Sequence, residues 1–345
     1  MKQGIVFIAW SKLSRRSRDL ARELGANLIF FADKPPYLST FEKTRRFLER
    51  EKPDVVFVQL PQGPLLWLAL RLSKRLGFRI VADVHTGFVY ITSFKGFVLN
   101  KPFNHMLKDA DLVIAHNPLQ RSYIIEKLGL VEEKTIVVYD PIPKYIKDVD
   151  KQVEGLDPGK YIVFPASWAS DEPIDFIVKE FLSSEISEEF KLVITNDFRR
   201  NMRLYRRVEN TLKKFSSLDK VVISGYLEEP QYRWVIEHSR AVIAATNREY
   251  TMLSAIWEAV GFRKPFIASK TNAIKSIVGE YPCLFQLAEG SLRKVLEKCF
   301  NEIDVESIAK PVISKLERLS QESIENLKNL LKAMISDSST SYNKE

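Results

Sequence analysis

A repeated alternation of short apolar runs and amphipathic stretches constrains the fold of this 345-residue chain more than any other feature. The runs are rich in Val, Ile and Phe, which is typical of parallel strands buried on both faces. The first set comprises Gly4–Ala9, Asn27–Phe31, Asp54–Gln59, Arg79–Val84, Leu112–His116 and Thr135–Tyr139. The second set comprises Tyr161–Ala166, Lys191–Asn196, Lys220–Gly225, Arg240–Thr246, Lys264–Ser269 and Cys283–Gln286. Helical stretches lie between the runs, so the pattern predicts an α/β fold of two Rossmann-like, doubly wound domains.

The two sets of runs define the predicted domain boundaries. The charged stretch Lys144–Lys160 has no clear period and separates them as an interdomain linker. We therefore predict an N-terminal domain over residues 1–150 and a C-terminal domain over residues 151–303. A helical segment over 304–336 and a disordered polar tail over 337–345 follow. In two such domains the carboxyl ends of the strands are expected to face each other across a cleft that binds ligands.

Composition excludes several other classes of protein. Hydrophobic residues make up 45% of the chain and charged residues 28%, as in ordinary globular proteins. Cys283 and Cys299 are too few for a disulfide scaffold or a Cys-based metal site, and we expect them to be core residues rather than a pair, in a reducing compartment. No apolar run approaches the roughly 18–20 residues of a membrane span, and the N-terminus shows no signal-peptide pattern. These features predict a cytoplasmic protein, soluble or peripheral to a membrane.

The formal net charge of +8 lies entirely in the first half of the chain. Residues 1–150 hold 24 basic and 16 acidic side chains, a difference of +8, whereas the remainder holds 28 of each. Such asymmetry favours a polyanionic partner, either an anionic membrane surface or a nucleic acid, although a basic surface can also serve solubility alone.

Polar residues follow three strands of the predicted N-terminal domain. Ser14 and Arg16 open the first helix without the glycines of a dinucleotide-binding or P-loop motif, and such a turn suits either an anionic group or a simple helix cap. Asp83 and His85 stand at the end of the fourth strand, where a histidine can act as acid, base or hydrogen-bond donor. Asp140 follows the sixth strand beside two prolines, so it can assist chemistry or cap a rigid turn.

The segment Phe88–Phe103 mixes large apolar residues, including Tyr90, Phe94 and Phe97, with lysines. In a loop, this mixture indicates contact with a membrane interface. Core packing is the alternative for at least some of these residues.

The second half contains the most specific pattern. A loop and helix, Thr246–Ala259, follow one strand and include Glu258, and the next strand opens with Lys264-Pro265 and ends with Ala268-Ser269. This segment resembles glycosyltransferases of the GT-B type, close to family 4, in which E-G-F-G-x-x-x-x-E-A precedes G-K-P-V-[IV]-A-S. The resemblance implies the GT-B fold, a nucleoside-diphosphate sugar as donor, and a carboxylate, Glu258, that holds the ribose hydroxyls.

The resemblance also implies which other residues contact the donor. Loop amides would face the donor sugar and phosphates, and basic side chains would stabilise the leaving diphosphate, as GT-B enzymes usually do without a metal. The donor-binding residues predicted in this way are Ser167, Arg248, Tyr250, Thr251, Met252, Leu253, Glu258 and Lys270, with Arg199 and Arg200 as weaker candidates. Tyr250 stands where the pattern has its first Glu, and Thr251 and Leu253 replace its glycines, which leaves the stereochemical outcome open.

The first half of the chain resembles another branch of the glycosyltransferases, the β-mannosyltransferases that extend chitobiosyl-diphosphodolichol. Their pattern includes Q-x-P, D-x-H-x-x-x-Y, D-A-x-L-x-V and L-Y-D-R-P-P. The corresponding residues here are Gln59-Leu60-Pro61, Asp83-Val84-His85 with Tyr90 one place later, Asp109–Ile114 and Val138–Pro143. The second half likewise opens with Ser167-Trp168 and Asp171-Glu172. We predict an acceptor site that combines Ser14 and Arg16 of the turn after the first strand with Asp83 and Tyr90, which correspond to this pattern.

These patterns predict a glycosyltransferase that moves a hexose from a UDP- or GDP-sugar to a lipid-linked glycan or polysaccharide at the cytoplasmic membrane face. His85 or Asp140 is the expected catalytic base, and no metal or other cofactor is expected. The tripeptides Asp109–Asp111 and Asp148–Asp150 are interpreted as incidental. A non-catalytic GT-B subunit and a sugar-nucleotide epimerase remain alternatives. Nucleic-acid binding is not expected, because no recognised reading motif is present.

Overall fold

The computed structural model describes residues 4–91, 94–144 and 151–341, which cluster into two compact units. Unit 1 extends to Pro141 and resumes at Leu319, whereas unit 2 is Ile142–Arg318. Part of the predicted linker, residues 145–150 with the tripeptide Asp148–Asp150, lies outside the described residues, as does the end of the predicted tail, 342–345.

Unit 1 is built on one parallel sheet with strand order β2-β1-β3-β4-β5-β6. Its strands are β1 (Ile5–Trp10), β2 (Asn27–Phe31), β3 (Val55–Leu60), β4 (Arg79–Val84), β5 (Leu112–Ala115) and β6 (Thr135–Val137). Its helices are α1 (Arg15–Glu23), α2 (Leu38–Glu51), α3 (Gly63–Leu76), α4 (Thr86–Val89), α5 (Phe94–Asn100) and α6 (Pro118–Leu128), with 3₁₀ turns at Lys101–Asp109 and Glu132–Lys134. All six predicted strands of the first half are confirmed.

Alternate strand residues of unit 1 enter two separate hydrophobic cores, one on each face of the sheet. Val6 and Ile8 pack with the apolar side of α3, whereas Phe7 and Phe57 face the opposite layer, where their rings stack with centroids 5.1 Å apart. Burial on both faces explains why these strands have continuous apolar runs rather than an alternating pattern.

Unit 2 repeats this architecture, with the parallel strand order β12-β11-β10-β7-β8-β9. Its strands are β7 (Tyr161–Phe164), β8 (Lys191–Thr195), β9 (Val221–Gly225), β10 (Ala241–Ala244), β11 (Phe266–Ser269) and β12 (Leu284–Phe285). Its helices are α7 (Ile174–Leu182), α8 (Met202–Phe215), α9 (Glu229–Glu237), α10 (Ser254–Gly261), α11 (Asn272–Val278) and α12 (Ser291–Glu297), with 3₁₀ turns at Glu185–Glu188 and Phe198–Asn201 and a π-helical turn at Lys298–Glu302. The predicted strands of the second half are thus confirmed as well.

The last helix, α13 (Val305–Ser341), serves both units. Its second half inserts Ile324, Leu327 and Leu331 into the unit 1 core that contains Phe7. The helix α13 includes the segment predicted as helical over 304–336, and the apolar side of its second half covers one face of the N-terminal sheet. The helical backbone continues into the segment predicted as a disordered tail, 337–345, as far as Ser341.

Two other features differ from expectation. Cys283 and Cys299 form a disulfide, so the prediction that they are not a pair is wrong. Tertiary packing brings Cys283, which directly precedes β12, and Cys299 of the π-helical turn to a Cα separation of 6.4 Å. The described residues of the segment Phe88–Phe103 are largely helical rather than a loop, since they fall in α4, α5 and the 3₁₀ turn that begins at Lys101, and Phe88 is buried in the core. Among the described residues, no helix has both the length and the apolar character needed to cross a membrane.

Candidate functional site

A cluster of buried charged and imidazole groups lies at the carboxyl edge of the unit 1 sheet. It consists of Arg16, Asp83, His85, His116 and Asp140, and is called the Asp83 cluster below. The Asp83 carboxylate is at its centre and has no exposed surface. Arg16 donates to Asp83 Oδ1 from Nε at 3.3 Å and from a terminal nitrogen at 3.2 Å, and its other terminal nitrogen donates to Asp140 Oδ1 at 2.7 Å.

Both imidazoles of the cluster face the same carboxylate. His116 Nε2 lies 3.2 Å from Asp83 Oδ1, and His85 Nε2 lies 3.3 Å from Asp83 Oδ2. The two rings meet edge to face, with centroids 4.7 Å apart and an interplanar angle of 72°. Arg16 lies on α1 and Asp83 near the end of β4. His85 and His116 directly follow β4 and β5, and Asp140 lies in the loop after β6. These positions meet because parallel strands end at one edge of the sheet.

Local hydrogen bonds hold the loops that present these side chains. Ser14 caps α1, accepting from the amide of Ser17 at 3.0 Å, and its own amide donates to Gln59 Oε1 at 3.1 Å. The His116 amide donates to Gln120 Oε1 at 2.8 Å, and Gln120 Nε2 donates to the Val84 carbonyl. The turns after β1 and β5 are thereby tied to the neighbouring strands β3 and β4.

The electrostatics of the cluster follow from burial and from the single guanidinium. Burial raises the pKa of Asp83, but Arg16 and the two histidine hydrogen bonds outweigh it and hold this pKa well below its usual range. Burial, together with the nearby charge of Arg16, lowers the pKa of His116 to about 4. Burial by itself lowers the pKa of Arg16, but the carboxylates of Asp83 and Asp140 outweigh burial and raise this pKa above its usual value. Asp83 is therefore ionised and His116 is neutral near pH 7.

The donor atoms of Asp83, His85 and His116 lie within 4.8 Å of one another, close enough in distance for a metal ion. However, Arg16 already donates twice to Asp83 Oδ1. A divalent cation bound there would therefore meet a fixed positive charge on the same carboxylate.

The structure brings together four predicted residues of the first half, Arg16, Asp83, His85 and Asp140, but changes the setting of some predicted residues. Arg16 and Asp83 were predicted to bind the acceptor, yet their side chains are 4% and 0% exposed because each neutralises the other inside the protein. Ser14 acts as the helix cap. Tyr90 ends α4, and its ring packs on Tyr123 with centroids 4.5 Å apart.

The sequence analysis missed His116. It directly follows strand β5, just as His85 directly follows the neighbouring strand β4. The same rule that singles out polar residues at strand carboxyl ends could have found it. What the sequence does not indicate is that both rings would point at one carboxylate.

In unit 2, Glu258 lies on α10 and is 5% exposed. Its Oε2 accepts a short hydrogen bond from the Tyr232 hydroxyl, and Tyr232 lies on α9. The sequence analysis did not identify Tyr232, because nothing in its spacing links the two helices. Glu258 is thus a carboxylate in a sheltered position that already binds one hydroxyl group.

The loop before α10 is fixed by hydrogen bonds to a second loop. The Thr246 hydroxyl donates to Asp171 Oδ2 at 3.1 Å, and Arg248 pairs with Asp171 Oδ1 at 3.2 Å. Farther along the loop, the hydroxyl oxygen of Thr251 is buried and has no hydrogen-bond partner among the described residues. An orphaned buried hydroxyl of this kind is costly unless a ligand or water satisfies it. Met252 and Leu253, which complete the loop, are half-buried, whereas Tyr250 is exposed.

The loop after β7 folds around one carboxylate. Glu172 accepts hydrogen bonds from the amide and hydroxyl of Ser167 and from the amide of Ala169, all within 3.1 Å. Burial raises the pKa of Glu172 despite these bonds. Between Ser167 and Ala169, Trp168 is buried and adopts a left-handed backbone with φ of 58°, an unusual conformation for a bulky residue. Ser167 therefore stands on a tightly constrained turn.

The remaining predicted donor residues are solvent-accessible. Lys270 directly follows β11 and is exposed, as are Arg199 and Arg200 in the 3₁₀ turn after β8.

A cavity of about 750 Å³ in unit 2 lies at the opposite edge of the sheet, and none of the predicted donor-binding residues lines it. It is lined by the loops that precede β7, β10 and β11 and by the first half of α13.

Comparison with known proteins agrees with this architecture. Residues 6–144 match the model of the family described as Glycosyltransferase Family 4. No curated protein matches the chain in sequence. HepE of Anabaena, solved with UDP and glucose, is 12% identical, with a TM-score of 0.73 over 95% of this chain and all of that one.

Two further solved structures are similar. Sucrose-phosphate synthase from Thermosynechococcus elongatus is 13% identical, with a TM-score of 0.75 over 97% of this chain and all of that one. The lipopolysaccharide outer core galactosyltransferase WaaB is 15% identical, with a TM-score of 0.63 over 96% of this chain and 99% of that one. At such identities the similarity shows the fold, so the predicted two-domain α/β fold of the GT-B type is confirmed. The narrower resemblance to chitobiosyl-diphosphodolichol mannosyltransferases stays a prediction.

Proposed function

We propose that this protein is a glycosyltransferase that moves a hexose from a nucleoside-diphosphate sugar to a lipid-linked or polysaccharide acceptor, without a metal ion or other cofactor. The observation that carries the proposal is the match of residues 6–144 to Glycosyltransferase Family 4 in a chain with the GT-B fold. HepE, solved with UDP and glucose, supports a UDP-sugar as the first donor to test, and WaaB supports a glycolipid acceptor.

The donor is proposed to bind at the carboxyl edge of the unit 2 sheet. Glu258 would accept hydrogen bonds from the two ribose hydroxyls, a task that suits a sheltered carboxylate. The orphaned hydroxyl of Thr251 and the adjoining loop amides would contact the diphosphate. Arg248 and Lys270 supply positive charge for the leaving group, so no metal is needed to stabilise it.

The acceptor is proposed to bind at the Asp83 cluster, with His85 as the base. Of the two candidate bases, Asp140 is already engaged in an ion pair with Arg16 at 2.7 Å. His85 has the more exposed side chain of the two histidines, at 20% against 12%. Asp83 beneath it would stabilise the imidazolium that forms when His85 takes the acceptor proton.

We further propose that unit 1 docks on an anionic membrane at the cytoplasmic face. Phe94, Phe97 and Val98 on α5 are 83%, 56% and 52% exposed, a cluster of apolar side chains that a monomer in water would not favour. The excess of eight positive charges in residues 1–150 complements a bilayer of anionic lipids. Each Lys or Arg near such a surface contributes about 1 kcal/mol.

Calorimetric titration with UDP, GDP, UDP-glucose and GDP-mannose tests the donor site. We expect saturable binding of one nucleotide, which Glu258→Gln weakens at least tenfold because the ribose loses its carboxylate. The matched control is Glu209→Gln, since Glu209 lies on α8 and pairs with Lys213 at the surface. If no nucleotide binds at millimolar concentration to folded protein, the transferase proposal fails and a non-catalytic GT-B subunit becomes the better account.

Co-sedimentation with vesicles of phosphatidylglycerol and phosphatidylcholine tests the membrane proposal. We expect vesicle binding to rise with the fraction of anionic lipid. The double variant Phe94→Ser with Phe97→Ser should reduce this binding at least fivefold. The control is Leu218→Ser, which removes an apolar side chain of unit 2 that is 66% exposed. Equal loss in the control and the double variant would contradict docking through α5.

A further inference from the structure

The two imidazoles of the Asp83 cluster restrict each other's hydrogen positions. An ionised carboxylate only accepts hydrogen bonds, so a ring nitrogen that faces it at hydrogen-bond distance must carry a hydrogen. Asp83 is such a carboxylate, and its Oδ1 shares a hydrogen bond with His116 Nε2 at 3.2 Å. His85 Nε2 lies 3.3 Å from Asp83 Oδ2 without forming a hydrogen bond, so a lone pair on this nitrogen would face the negative carboxylate. The Ser17 hydroxyl, which can donate or accept, lies 3.5 Å from His85 Nε2. In the neutral form, both rings therefore favour a hydrogen on Nε2 and a lone pair on Nδ1.

The two oxygens of Asp83 are used unequally. Oδ1 receives two hydrogen bonds from Arg16 and one from His116, whereas His85 faces Oδ2. Because Oδ1 is filled, Oδ2 is the oxygen of this carboxylate that remains available to His85. The edge-to-face contact with His116 restricts rotation of the His85 ring.

From this geometry we infer that His85 accepts the acceptor proton on Nδ1, and that His116 is the positioning residue that keeps His85 in this tautomer and orientation by occupying Asp83 Oδ1. The inference rests on the proposed function for its kinetic consequence, but its structural part does not. During transfer, the bond between the sugar C1 and the diphosphate breaks, and a bond from C1 to the acceptor oxygen forms. The hydroxyl proton moves to His85 Nδ1, and the Asp83 carboxylate, 3.3 Å from Nε2, balances the imidazolium charge.

The groups around His85 leave this role to His116 rather than to another residue. Arg16 and Ser17 come from α1, Asp83 from β4 and Asp140 from the loop after β6. Asp140 is directed at Arg16 and not at either ring. His116 alone of the five combines a hydrogen bond to Asp83 with ring contact to His85.

The first test measures the tautomers in the full-length protein by long-range ¹H–¹⁵N NMR near pH 8. The chain has four histidines, so each ring can be assigned by single His→Gln variants. We expect Nε2–H for both His85 and His116 in the wild type. In His116→Phe, which keeps a ring but loses the donor, we expect His85 to show a mixture of tautomers. His105→Phe, at an exposed position, is the control and should leave His85 unchanged.

The second test measures UDP release from UDP-glucose in the presence of acceptor lipid. His116→Phe is expected to lower kcat by about 10–100-fold with KM within threefold, the usual effect of losing an orienting partner. His116→Gln, whose amide reaches the position of Nε2, is expected to restore kcat to within about threefold, which a purely packing role would not produce.

Three results would overturn the inference: Nδ1–H on His85 in the wild type, an unchanged His85 tautomer in His116→Phe, or stoichiometric Zn²⁺ binding by both rings. If the protein transfers no sugar from any donor, the proposed function fails, and the NMR measurement still decides the tautomer and the role of His116.

Discussion

Replacing Asp83 by Asn is expected to destabilise unit 1 more than any surface charge substitution. Asn has nearly the same volume, so the change removes the charge that neutralises Arg16 and puts an amide donor toward two imidazole N–H groups. Both Asp83 and Arg16 are buried, with side chains 0% and 4% exposed. Removing one partner of a buried pair costs about 3–5 kcal/mol in the free energy of unfolding. Because Arg16 keeps its ion pair with Asp140 at 2.7 Å, we expect a cost at the lower end of this range, about 3 kcal/mol.

A loss of about 3 kcal/mol changes the unfolding equilibrium by more than a hundredfold. With a urea dependence of about 2 kcal/mol per molar, the midpoint falls by about 1.5 M. Hydrogen–deuterium exchange of peptides from β3 and β4 in rising urea reports unit 1 separately from unit 2. The control is Glu132→Gln, which breaks the exposed pair with Arg121 and should cost less than about 1 kcal/mol.

A double variant tests the proposed cause. If the cost of Asp83→Asn comes from an unpaired guanidinium, then adding Arg16→Met should cost less than the sum of the two single changes. Additive free energies, or a midpoint for Asp83→Asn equal to that of Glu132→Gln, would refute the reasoning.

Three further predictions concern stability. The pKa of Asp83 is lowered in the folded state, so its contribution is fully present above the unfolded pKa near 4 and is lost as pH falls below it; urea midpoints from pH 6 to pH 2 should fall more steeply in wild type than in Asp83→Asn. Gly63→Ala places a Cβ 2.4 Å from the Phe103 ring and should cost about 1–3 kcal/mol by thermal unfolding, whereas Gly87→Ala, with nothing within 4 Å, should not. Leu327→Ala removes a fully buried side chain and should lower the stability of unit 1, not unit 2, by about 2–5 kcal/mol in the same exchange assay; the reverse order would contradict the assignment of α13.

Much of the fold could be predicted from local pattern. Strands such as β3 and β8 contain continuous apolar runs because both faces of each sheet are covered, and these runs are visible in the sequence. Helix boundaries were equally clear where a cap is present, as at Ser14. The Phe88–Phe103 segment was harder, because its apolar residues divide between the core, as Phe88 does, and solvent, as Phe94 does, and composition cannot separate the two.

The site could be predicted only in part. The positions of Asp83, His85, Asp140 and Glu258 at strand ends or on the helix after a loop follow from chain order and the rules of parallel sheets. Partners that lie far apart in sequence could not be predicted in this way. Tyr232 and Glu258 lie on different helices, 26 residues apart, and meet only because both helices flank the same sheet.

The sequence by itself determined the two parallel sheets, the order of their elements and the edge at which polar residues gather, because burial patterns and turn residues act locally along the chain. Tertiary structure alone decided which of those residues face each other. Arg16 became an internal counter-ion for Asp83 and Asp140, although 67 and 124 residues separate them. The same packing aimed His116 and His85 at one carboxylate and joined Cys283 to Cys299. Such pairings depend on distances of about 3 Å that only the folded chain sets, because a buried charge must find a partner wherever the fold supplies one.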